Sequence, residues 1–81
     1  MHPSSQAARI LARFGGARGL SRALAALGPD KARDPSVIYR WTYARNKGGT
    51  GGRIPSNAVD DVKAAARLEG IFLTPEEWFG D

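Results

Sequence analysis

Apolar residues recur along this chain at helical spacing, in short blocks closed off by glycine and proline. Ala7, Ile10, Leu11 and Phe14 fall at i, i+3, i+4 and i+7, which predicts a first helix over about 5–14 with one buried face. Ser4 or Ser5 can cap its start, and Gly15-Gly16 ends it. Leu20, Ala23, Leu24 and Leu27 form the stripe of a second helix over about 17–27. Arg18 and Arg22 share its outward face, and Gly28-Pro29 is the stop. A polar connector then leads to Asp34, a good N-cap, and to Pro35, whose missing N–H costs nothing at the first helical position. The third helix is predicted over about 35–44, with Val37, Ile38 and Trp41 on one side and Ser36, Tyr39 and Arg40 on the other.

Residues 46–53, NKGGTGGR, hold four glycines and no apolar side chain, the composition of a flexible loop. Ile54 and Pro55 anchor the chain again, Ser56 can cap a fourth helix, and Gly70 closes it. Ala58, Val59, Val62, Ala65, Ala66 and Leu68 give that helix its stripe. Ile71 to Leu73 is a short apolar link. Thr74-Pro75-Glu76-Glu77 then has the form of a capping box and predicts a last helical turn holding Trp78 and Phe79. These two aromatics can seal the domain against the first helix or form a dimer contact. No repeat and no strand pattern interrupts this order. The expectation is a single all-α domain over 1–81, built from five short helices.

The net charge of +4 is unevenly placed. Residues 1–29 carry four arginines and no acid, and residues 31–53 set six basic side chains against Asp34 alone. Residues 60–81 reverse the balance, with six acids against Lys63 and Arg67. A basic middle and an acidic end suit a protein with one positive face, as a phosphate-backbone binder has, or simply a solvated surface. There is no cysteine, and the one histidine is His2, so no metal or cofactor site and no Ser–His–acid set is expected. Asp60 and Asp61 are helix neighbours that point about 100° apart and do not converge as a catalytic pair. They are read as favourable charge near the start of the fourth helix. No enzyme activity is expected. No apolar run is long enough to span a membrane, and the start lacks a secretory pattern, so a cytoplasmic protein is the expectation.

Two short helices joined by a polar connector, the second with an open polar face, match the way a helix-turn-helix presents side chains to the major groove. The start of the third helix offers backbone N–H groups to a phosphate. Arg40 can donate two parallel bonds to guanine O6 and N7, or turn to a phosphate. Ser36 can bond a base edge or a phosphate, and Tyr39 can stack on a thymine methyl or bond a phosphate. The alternative for Tyr39 and Arg40 is to cover the edge of the core. Trp41 fits the core by register, the other role being a stacking platform for an unpaired base. The glycines of 46–53 do not match a P-loop, because Lys47 precedes them. Lys47 and Arg53 either follow a DNA backbone or flank a plain linker.

The order FGG (14–16), GLSRALAALG (19–28), SVIYRW (36–41) and RIP (53–55) resembles the Cro and phage-repressor type of helix-turn-helix domain. It is similar to small Cro-like regulators and to the carph-isopro group, over about residues 7–73. The resemblance implies a compact five-helix, lambda-repressor-like domain of bacterial or phage origin that regulates transcription. Leu20 and Leu24 would then lie in the scaffold helix, and Ile38 and Trp41 would support the reading helix from the core. Ser36, Tyr39 and Arg40 would contact bases. Ala17, Arg18, Arg45, Lys47 and Arg53 would contact the backbone, with Lys31 and Arg33 added by a connector longer than the usual turn. The implied partner is double-stranded DNA, bound by a homodimer on a palindromic site, with no small-molecule ligand. The alternative functions are a protein-binding adaptor or antirepressor on the same fold, and an RNA or single-strand binder.

Overall fold

A computed structural model of the chain describes residues 5–79, apart from the side chain of Phe79. His2, the candidate cap Ser4, Asp81 and the role expected of the Phe79 ring lie outside the described residues. The α-helices are α1 (Gln6–Arg13), α2 (Ala17–Leu27), α3 (Pro35–Tyr39), α4 (Ser56–Glu69) and α5 (Pro75–Phe79). Single 3₁₀ turns lie at Pro29–Lys31, Arg40–Thr42 and Arg45–Lys47. No strand occurs among the described residues, so the fold is all-α.

Local chemistry sets most of the boundaries. The Ser5 hydroxyl accepts the Ala8 N–H at 3.2 Å and starts α1. At the other end of α1 the chain turns back so tightly that a Cβ on Gly19 would collide with the Phe14 carbonyl oxygen, and only glycine fits there. Ser56 is the first residue of α4 rather than its cap, because the Pro55 carbonyl already accepts the Ala58 N–H at 2.9 Å. Gly70, at a φ of +71°, closes α4, and the Ile71 N–H reaches back to the Ala66 carbonyl at 2.8 Å. At α5 the Thr74 N–H donates to the Glu77 carboxylate, one half of the expected capping box. The Thr74 hydroxyl also donates to that carboxylate, and the Glu77 N–H goes to the Thr74 carbonyl at 3.0 Å. Arg13 Nη1 meets both Glu77 carboxylate oxygens, at 2.7 and 2.8 Å. The Thr74 amide first, and then Arg13, hold the Glu77 carboxyl below its ordinary range.

The core is organised around α2, whose Leu20 and Leu24 are fully buried and which packs against α1, α3 and α4. Ile10, Ile38 and Val62 fill it from the other three helices. Leu68 departs from the expected stripe and is 55% exposed. At 100° per residue it lies about 110° from the centre of the arc formed by Ala58, Val62, Ala65 and Ala66. Trp78 is buried and α5 packs on α1, so this tryptophan seals the domain.

Gln6 is the buried polar exception, 7% exposed. Its amide nitrogen donates to the Trp78 carbonyl at 2.5 Å, and its amide oxygen accepts the Ile54 N–H at 2.8 Å. One side chain therefore ties α1, the chain entering α4, and α5 together. No helix among the described residues is long and apolar enough to cross a membrane.

Candidate nucleic-acid interface

The segment after α2 is held at both ends. Ser21 of α2 donates its hydroxyl to the Arg33 carbonyl at 2.7 Å, fixing the connector. Asp34 then caps α3, accepting the Ser36 N–H at 2.8 Å and the Ser36 hydroxyl at 2.7 Å. The hydroxyl first, and then the amide, lower the Asp34 carboxyl from its ordinary range. This cap changes two expectations. The Ser36 N–H, expected to face a phosphate, is taken by a carboxylate. The Ser36 O–H is engaged in that bond, so only the lone pairs of its oxygen are left open, suited to accepting from the amino edge of cytosine or adenine.

The α-helical part of this segment ends at Tyr39 and continues as a 3₁₀ turn to Thr42, short of the expected 35–44 helix. The Thr42 hydroxyl donates to the Tyr39 carbonyl at 2.7 Å, and the Tyr43 N–H to the Arg40 carbonyl at 3.0 Å. The tighter turn brings Ile38 and Trp41 into line at three-residue spacing, and both are buried. Val37 is thereby turned off the core side where it was expected and is 42% exposed. The open face of the segment therefore carries Ser36, Val37, Tyr39 and Arg40, with Tyr39 53% exposed. Tyr43, also exposed, extends this face beyond the residues chosen from sequence.

The cations around this face divide into two groups. Lys31 and Arg33 are drawn toward α4 by Asp61, at 3.3 and 3.9 Å. The Arg33 guanidinium also lies 5.9 Å from the Trp41 ring centroid. Trp41 is 3% exposed, so it is no platform for an unpaired base. The first turn of α4 holds no acid, and Asp61 acts through this pairing rather than at the helix end. Ala17 is 2% exposed and faces the core, which leaves Arg18 to present charge at the start of α2. Arg18, Arg40, Arg45 and Lys47 are exposed and have no carboxylate partner among the described residues. Arg53 is exposed on the same loop.

The glycine-rich loop is hydrogen-bonded in place rather than loose. Gly51 N–H donates to the Tyr43 carbonyl at 2.9 Å and Thr50 N–H to the Arg40 carbonyl at 3.3 Å. The Thr50 hydroxyl lies within reach of the Trp41 and Arg53 carbonyls, and the Gly52 carbonyl accepts the Ala7 N–H at 2.8 Å. A Cβ on Gly49 would strike the carbonyls of Arg40 and Tyr43, so the close packing requires glycine there. The loop thus holds Arg45, Lys47 and Arg53 in fixed relation to α3. Among the described residues no group of His, Cys, Asp and Glu is arranged to hold a metal ion. No family model, curated protein or solved structure matches this chain.

Proposed function

We propose that this protein is a helix-turn-helix reader of double-stranded DNA that regulates transcription, as its resemblance to the Cro and phage-repressor domains implies. The observation that carries the proposal is the two-sided character of the α3 segment. Ile38 and Trp41 are locked into the core on one side, while Ser36, Val37, Tyr39 and Arg40 are open on the other, near Arg18, Arg45 and Lys47, which have no carboxylate partner among the described residues. Phosphate contacts from Arg18, Arg45, Lys47 and Arg53 supply most of the affinity and its salt dependence. Sequence choice comes from Arg40 on guanine, Ser36 as an acceptor, and Tyr39 and Val37 on thymine methyl groups. Lys31 and Arg33 contribute less than their charge suggests, being held by Asp61. Two copies on a two-fold site, with half-sites about 34–36 Å apart, belong to the same proposal.

Arg40→Ala tests it. A base-reading arginine should cost about 1–3 kcal/mol of specific binding and relax the preference at one position. Equal loss on all duplexes would make Arg40 a phosphate contact only. If Arg40→Ala and Tyr39→Ala both leave regulation intact, the protein acts through a protein partner instead.

A further inference from the structure

The loop that follows α3 and the start of α4 enclose an open groove of about 640 Å³, within the size range of ligand-binding clefts. Three cations from three different segments line it: Arg45 from the 3₁₀ turn, Arg53 from the end of the loop, and Lys63 from α4. No carboxylate is among its lining residues. The groove beside α2 differs in this respect, since there Arg13 and Arg22 are joined by Glu69. Arg45 folds back over Gly51, and neither Arg45 nor Lys63 has a carboxylate partner among the described residues. The floor is apolar, formed by Ile54, Val59 and Trp78, and Lys63 Nζ stands 5.4 Å from the Trp78 ring centroid.

We infer that this groove is a cradle for a phosphodiester of the DNA backbone, with Lys63 as a phosphate contact on α4. The inference rests on the duplex-DNA proposal above and extends it to a helix outside the reading pair. The groove is built onto the end of the α3 segment, because Thr50, one of its lining residues, donates its N–H to the Arg40 carbonyl. The groove therefore adjoins the Arg40 backbone. The three cations take the phosphate oxygens, the Ser56 hydroxyl, without a partner among the described residues, donates one further bond, and the apolar floor accepts the face of a deoxyribose.

Lys63 and Arg67 are one turn apart on α4, and Arg67 lies outside the groove, so they form a matched pair of variants. Duplex affinity is measured against salt for the full chain, Lys63→Gln, Lys63→Arg and Arg67→Gln, on a duplex selected by the wild-type protein. Lys63→Gln should lower the slope of log K against log salt by about 0.9, the value for one phosphate contact, with the preferred sequence unchanged. Lys63→Arg should restore the slope and Arg67→Gln should keep it. Thermal melting confirms that each variant is folded. An unchanged slope in Lys63→Gln, with specific binding retained, overturns the cradle and leaves the DNA proposal standing. An equal drop in Arg67→Gln also overturns it, since general charge would then explain the effect. Trp78 fluorescence in a Trp41→Phe background provides a last arm. Tight saturation by a free mononucleotide, with duplex affinity unaffected, would make the groove a small-ligand site. Absence of duplex binding by the wild-type chain would remove the DNA proposal and the cradle together.

Discussion

Replacing Gln6 should be far more damaging than a polar residue at the first position of a helix would suggest. Its amide is the sole polar bridge described between the Ile54 N–H and the Trp78 carbonyl, and it is 7% exposed. Gln6→Ala strands both backbone groups in the core. At about 1–3 kcal/mol for each of the two buried groups left unsatisfied, the loss is about 2–6 kcal/mol. A chain of this length has about 4–12 kcal/mol of stability in total, so the variant is close to unfolding. Gln6→Glu refines the test. The introduced carboxylate still accepts from Ile54 but faces the Trp78 carbonyl without a proton to donate. Burial and the missing donor raise its folded pKa above the ordinary value of about 4.3. Below that value the protonated carboxyl mimics the amide and the penalty is small. As pH rises through it the penalty grows, levelling off above the raised folded pKa. Urea unfolding of wild type and both variants, compared at each pH from 3 to 8, reads this directly. A loss under about 0.5 kcal/mol in Gln6→Ala, or a pH-independent gap in Gln6→Glu, would refute the bridge.

Further expectations concern charge. Lys47→Ala and Arg53→Ala should each flatten the salt slope of duplex binding by about 0.9, with the preferred sequence intact, and an unchanged slope would take the loop out of the interface. Asp61→Asn frees Lys31 and Arg33 from partly exposed pairs, so stability should change by no more than about 1 kcal/mol while duplex affinity rises at low salt. No rise would show that the connector does not face DNA. Asp34 and Glu77 are both held below their ordinary carboxyl range, so their contribution is present at neutral pH and is lost as pH falls from about 4 downward. Glu77→Gln should therefore have a shallower acid limb than wild type in a melting series, and an identical limb would contradict this.

The longer helices were legible because their apolar residues keep one period over two turns or more, as Leu20, Ala23, Leu24 and Leu27 do in α2. Val37 was misplaced for a geometric reason. Counting at 3.6 residues per turn puts it beside Trp41, whereas the 3₁₀ turn at Arg40–Thr42 aligns Trp41 with Ile38 alone. By composition the glycines of the loop point to freedom. At Gly49 and Gly52 they serve close packing instead, against the Arg40 and Tyr43 carbonyls and against Ser5. Gln6 and Asp61 were illegible because their partners lie 48 and 72 residues away for Gln6, and on the α2–α3 connector for Asp61. Such pairings depend on how helices meet, which no local pattern encodes. Of the candidate site, the open face of Ser36, Tyr39 and Arg40 followed from spacing. The division of cations between those held by Asp61 and those left open did not.

The most direct measurement of the central claim is selection of bound sequences from a random duplex DNA pool, run in parallel with wild type and Arg40→Ala. An enriched motif with wild type, altered at one position in Arg40→Ala, is the expected result, and two-fold symmetry in it would add the dimer. No enrichment, with binding that vanishes at moderate salt, would reduce the positive face to non-specific charge attraction and contradict the proposed function.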